Sequence, residues 1–67
     1  MTPTTYRETL ARLGLSQARF GRALGVDKMT PNRWAMGRSP IPHSVVILLR
    51  ALDAGRLTVD DLERLAA

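Results

Sequence analysis

Lys28, Met29, Asn32 and Arg33 are the residues of this chain whose types and spacing best suit a chemistry, and that chemistry is recognition. An arginine guanidinium can give two parallel N–H bonds to guanine O6 and N7. An asparagine amide can do the same for adenine, and a methionine tip can lie against a thymine methyl. Lys28 can reach a guanine or a phosphate. Catalysis has far less to draw on. There is no cysteine and one histidine, His43, so thiolate and zinc sites lack their ligands. No paired carboxylates, metal motif or phosphate loop stands anywhere in the chain. The expectation is a binding protein rather than an enzyme, with no cofactor and no metal.

These four residues need a helix that presents them together. Stepping about 100° per residue from Lys28 puts Asn32 at about 40°, Met36 at about 80°, Met29 at about 100° and Arg33 at about 140°. Thr30, Trp34 and Pro31 fall between about 200° and 300° on the same scale. So a helix over 28–36 has one face with Lys28, Asn32, Arg33 and two thioethers, and an opposite face with the chain's one tryptophan. A helix this short holds only if its apolar face is packed. Trp34 is therefore expected in the core, and Met36 is read as an exposed gap-filler or partner contact. Pro31 leaves the start open. It lacks an N–H and crowds the carbonyl four residues back, so a helix beginning at Lys28 is disturbed and one beginning a residue later is not.

The preceding segment reads as a helix over 17–24. Ser16 is its N-cap, and Phe20 and Leu24 turn inward. Gly25 marks a sharp bend, Val26 is expected to re-enter the core, and Asp27 caps the next helix. Gly21 lies one turn before the bend, where a missing side chain lets the next helix approach closely. Gly37 ends the second helix of the pair. Gln17, in a first turn with free N–H groups, suits a phosphate. Beyond Gly37 comes Arg38-Ser39-Pro40-Ile41-Pro42, a loop stiffened by two prolines. Arg38 and Ser39 are candidates to hold a phosphate, and His43 to add another. Such contacts fix register without reading sequence.

Leu15-Ser16-Gln17, Phe20-Gly21, Leu24-Gly25-Val26, Trp34, Gly37 and Pro40-Ile41-Pro42 together resemble the helix-turn-helix of the phage Cro/cI-type repressors, the XRE family. The resemblance runs from about Leu10 to Leu52. It implies a lambda-repressor-like domain, all-α, of about five short helices, with the helix-turn-helix at about 16–37. It implies that Lys28, Met29, Asn32 and Arg33 read bases of double-stranded DNA, and that Gln17 bonds a phosphate or bridges to a recognition-helix side chain; Ser16 is a further phosphate candidate. It further implies a sequence-specific transcriptional repressor, bacterial or phage-encoded, bound as a homodimer to an inverted repeat. Half-sites would lie about one helical turn, ~34 Å, apart. Pro31 departs from the family pattern, which usually has a branched aliphatic residue there.

The flanks must build the rest of the core. A first helix is expected over 3–13, opened by Thr2 and Pro3 or by a Thr5–Glu8 capping box. Tyr6, Leu10 and Leu13 form its stripe, and Arg7 and Arg12 are assigned to solvent. A helix over 42–52 packs Val45, Leu48, Leu49 and Leu52 and leaves Ile47 outside. A last helix starts at Thr58, where Thr58 and Asp61 resemble a capping box. Leu57, Leu62 and Leu65 are candidate dimer contacts within a 53–67 segment, with ordinary intramolecular packing as the alternative.

Charge sorts along the chain. Residues 1–40 hold seven basic and two acidic residues, and residues 41–67 hold three basic and four acidic. The positive field thus lies with the recognition stretch, as phosphate attraction requires. With 67 residues the chain makes one small domain. No apolar run reaches membrane-spanning length and the N-terminus lacks a signal-peptide core, so a cytoplasmic protein is expected. The competing function is a protein-interaction module, antitoxin-like, that keeps the fold but binds a protein partner.

Overall fold

A computed structural model describes residues 1–66; Ala67, the end of the segment expected to hold dimer contacts, lies outside the described residues. Five helices follow in order: α1 Pro3–Leu13, α2 Gln17–Leu24, α3 Met29–Ala35, α4 His43–Asp53 and α5 Val59–Ala66. No strand occurs among the described residues. The Cα radius of gyration, 10.8 Å, is about what a chain of this length reaches when folded on one core. No helix is therefore left as a projecting arm. Nor is any helix among the described residues long and apolar enough to cross a membrane.

Local chemistry accounts for the helix ends. Thr2 Oγ1 accepts from the Thr5 N–H at 3.1 Å, so Thr2, not the Thr5–Glu8 pair, opens α1. Ser16 Oγ accepts from the Arg19 N–H at 3.1 Å and opens α2. Thr58 and Asp61 cap each other: the Asp61 N–H donates to Thr58 Oγ1 at 3.0 Å and the Thr58 N–H to Asp61 Oδ2 at 3.1 Å. These bonds, with Arg64 nearby, hold the Asp61 carboxyl below the usual carboxylate range. The capping box expected at Thr58 and Asp61 is thus present, with α5 running from Val59. Pro42 likewise flanks α4 instead of opening it.

The core joins Tyr6 and Leu10 of α1, Leu15, Phe20 and Ala23 around α2, Trp34 and Ala35 of α3, Val45, Leu49 and Leu52 of α4, and Leu62 of α5. The Tyr6 ring meets Trp34 edge-on with centroids 6.1 Å apart and lies 6.3 Å from Phe20. Its hydroxyl donates to the Pro31 carbonyl at 3.2 Å. α1 packs on α3 and α4, and α2 packs on α3 and α5. α4 differs from its expected stripe. Val46 is buried and Leu48 only half-buried, while Ile47 is 52% exposed as expected.

Val26 corrects another expectation. It is 37% exposed rather than in the core. Gly25 takes φ +73°, and the Val26 N–H closes the turn by donating to the Gly21 carbonyl at 3.1 Å. The backbone of Val26 is what the bend uses, and its side chain stays outside. The space between α2 and α3 is filled by Pro31, which is fully buried.

Gly21 is what admits that ring. A Cβ built there would lie 2.7 Å from Pro31 Cγ, and a proline ring cannot swing away. Gly21→Ala gains about 0.5–1 kcal/mol of helix propensity, but overpacking of this kind costs about 1–3 kcal/mol. A net loss is expected, with Tm lowered by about 4–8 °C for each kcal/mol. Adding Pro31→Ala should restore part of it, because the two residues share one contact. A Gly21→Ala protein that melts higher than the parent would contradict this packing.

Tyr6 makes the fold sensitive to alkali. Burial pushes its hydroxyl up to about 12, against an ordinary value of about 10. The folded state holds the proton more tightly than the unfolded one. The stabilisation is therefore complete below pH about 10 and is lost as pH rises towards about 12. The chain has one tyrosine, so phenolate absorbance reports on Tyr6 alone. Ionisation should coincide with loss of helical circular dichroism. An ordinary midpoint with intact helices would rule the mechanism out.

Candidate nucleic-acid interface

α3 begins at Met29, one residue later than the 28–36 helix. Lys28 precedes it with αR angles, φ −58° and ψ −24°, and gives no side-chain cap. The reason is Pro31. From a start at Met29 it occupies the first turn, where a missing N–H costs no helical bond. Asp27 supplies the cap: its Oδ1 accepts from the Met29 N–H at 2.7 Å. The helix ends at Ala35, with Met36 as its C-cap and Gly37 at φ +72°.

The two faces separate as the angular argument requires. Pro31, Trp34 and Ala35 are buried, and Thr30 is half-buried. Lys28, Met29, Asn32, Arg33 and Met36 are all exposed, with Met29 at 47% and Met36 at 59%. Among the described residues, the side chains of Lys28, Asn32 and Arg33 form no hydrogen bond or ion pair within the chain. Their donors point away from a helix whose other side is held by the core. Such a face can offer parallel N–H donors to a planar pair of acceptors.

Other candidates flank this face. Arg38 is exposed and follows α3 directly, since its backbone N–H donates to the Arg33 carbonyl at 2.9 Å. Ser39 is half-buried in the next loop, and His43 is exposed at the first position of α4. Ser16 and Gln17 stand at the start of α2, exposed and half-buried respectively. Ser16 keeps its hydroxyl hydrogen free, because the cap bond uses only an oxygen lone pair.

The candidate dimer residues do not stay together. Leu62 is buried at 6% exposure within the core, and Leu57 is half-buried against it. Both are used by the chain's own packing of α5, leaving Leu65, at 78% exposed.

Ion pairs join the basic and acidic parts of the chain. Arg12 meets Asp53 at 2.8 Å, Arg19 meets Glu63 at 3.5 Å and Asp60 at 3.6 Å, and Arg64 meets Asp61. The hydrogen bond from Arg12 holds the Asp53 carboxyl below the usual carboxylate range. Thus the acidic residues of α4 and α5 engage Arg12, Arg19 and Arg64. Arg22, Lys28, Arg33 and Arg38 have no ion pair among the described residues. Exposed pairs add little stability, but they decide which cations are left for an external anion.

Arg7 and Arg12 differ from their expected place in open solvent. Both are exposed yet bonded: Arg12 to Asp53, and Arg7, through Nη1, to the Ala35 carbonyl. Nothing in the spacing of Arg7 reveals which helix end it meets, since the contact spans 28 positions.

The chain matches no protein-family model, no curated protein and no solved structure.

Proposed function

We propose that this protein is a sequence-specific double-stranded DNA-binding regulator, a repressor of the helix-turn-helix type. α2 and α3 form the motif, and α3 lies in the major groove. Arg33 and Asn32 make bidentate contacts to base edges, Met29 contacts a thymine methyl, and Lys28 reaches a guanine or a phosphate. Ser16, Gln17, Arg38, Ser39 and His43 meet the phosphate backbone and set the register. Two copies bind an inverted repeat. The observation that carries this reading is the outward face of α3: Met29, Asn32 and Arg33 are exposed, the latter two without a side-chain hydrogen bond or ion pair among the described residues, opposite the buried Pro31 and Trp34. Arg22, Lys28, Arg33 and Arg38, without an ion pair among the described residues, support it, because phosphate attraction supplies most of the affinity of such proteins.

Selection of duplexes from a random pool at near-physiological salt tests the reading. An enriched inverted repeat is expected. A single enriched half-site would keep the DNA function and discard the dimer. No enrichment from a folded protein would favour the interaction-module reading. That reading draws on Ile47 and Leu65, 52% and 78% exposed, and on the exposed thioethers. Arg38→Ala separates register from readout. It should weaken preferred and scrambled duplexes alike and lower the slope of log affinity against log salt by about one. A shift in preferred sequence would contradict a phosphate role.

A further inference from the structure

The last four carbonyls of a helix have no partner within it, and in α3 each finds one differently. Asn32 O accepts from the Met36 N–H at 3.0 Å, Arg33 O from the Arg38 N–H at 2.9 Å and Trp34 O from the Gly37 N–H at 3.3 Å. The fourth, Ala35 O, takes its bond from the Arg7 guanidinium of α1. One residue earlier on α1, the Tyr6 hydroxyl donates to Pro31 O, a full turn back along the same side of α3. A third contact adds to these: a Cβ on Gly37 would lie 3.3 Å from Pro3 Cγ, so the start of α1 sits against the end of α3. Adjacent residues of α1 thus grip two α3 carbonyls four residues apart on one side of the helix. Arg7 also sets a cation at the negative end of the α3 dipole.

We infer that Arg7 is a specificity-determining positioning residue: from α1 it holds the C-terminal turn of α3 in the orientation that aims Asn32 and Arg33, without itself reading a base. The inference rests on the DNA-binding reading for its consequence and on the α1–α3 contact for its geometry. Tyr6 is part of the core and cannot be altered without wider loss. Arg7 is exposed, so its removal leaves the core intact.

The test compares Arg7→Ala and Arg7→Lys with the parent, using the selected duplex and a scrambled one. Lysine keeps the charge and can still donate to one carbonyl. Arg7→Ala should reduce the ratio of affinities for the two duplexes about fivefold to tenfold, roughly what a charge-assisted hydrogen bond of partial exposure supports. The salt slope should not change, and Arg7→Lys should recover most of the ratio. Equal weakening on both duplexes with a lower salt slope would make Arg7 a phosphate contact and overturn the proposal. Amide hydrogen exchange separates this from failure of the DNA reading. In Arg7→Ala, the amides of Met36, Gly37 and Arg38 should exchange at least about fivefold faster while those of α2 stay unchanged, because the turn they close has lost its tether. If the parent shows no sequence preference, the DNA reading fails and exchange alone decides whether Arg7 positions α3. Unchanged exchange at those three amides overturns the proposal whatever the DNA result.

Discussion

The double variant Asn32→Ala/Arg33→Ala is expected to lose about 2–6 kcal/mol of affinity for the selected duplex while its binding to scrambled DNA falls far less. Each bidentate base contact carries about 1–3 kcal/mol of discrimination. The two residues are neighbours and share a stretch of groove, so their losses need not add. Arg33→Ala alone should lose about 1–3 kcal/mol and relax the preference at one base pair. Both side chains are exposed and form no hydrogen bond or ion pair among the described residues, so stability should stay within about 0.5 kcal/mol of the parent. That combination is informative because it separates reading from folding. A similar loss on every sequence would mean that Asn32 and Arg33 act on phosphates or not at all, and a large fall in Tm would mean that they belong to the fold.

Trp34→Ala should show the reverse pattern. Trp34 is 4% exposed and meets the Tyr6 ring edge-on. Truncating a buried tryptophan costs about 3–5 kcal/mol. A domain of this size has a total stability of roughly 3–10 kcal/mol. The variant is therefore expected to be largely unfolded or to melt far below the parent by circular dichroism, and to lose DNA binding of every kind. Trp34→Phe should keep much of the stability by retaining a ring against Tyr6. A Trp34→Ala protein that keeps its Tm but binds DNA poorly would make Trp34 a stacking platform on the nucleic acid, and would invert the assignment of the two faces of α3.

Those faces were legible before any coordinates. A period of 3.6 residues, one tryptophan and a cluster of donors suffice to sort a short helix into an inner and an outer arc, and the burial of Pro31, Trp34 and Ala35 follows the same sorting. Helix limits were nearly as legible, because caps and bends are local chemistry. Ser16, Gly14 and Gly25 act within a few residues of themselves. Pro31 left two starts open for α3, and sterics within its own first turn decide between them. Val26 escaped the reading because an apolar side chain after a bend can turn either way, and the backbone bond to Gly21 determines which.

The positions of the helices, most of their caps, the polar face of α3 and the concentration of positive charge in the first forty residues follow from local chemistry, since each depends on neighbours within about a turn or on a simple sum of charges. Which long side chains meet which distant partners depends on how the helices pack. Arg7 closes the end of α3 from 28 positions away and Arg12 reaches Asp53 across 41. Leu57 and Leu62 pack into the chain's own core and Leu65 does not. A flexible side chain has many possible partners along the sequence, and packing of the helices against one another is what removes most of them.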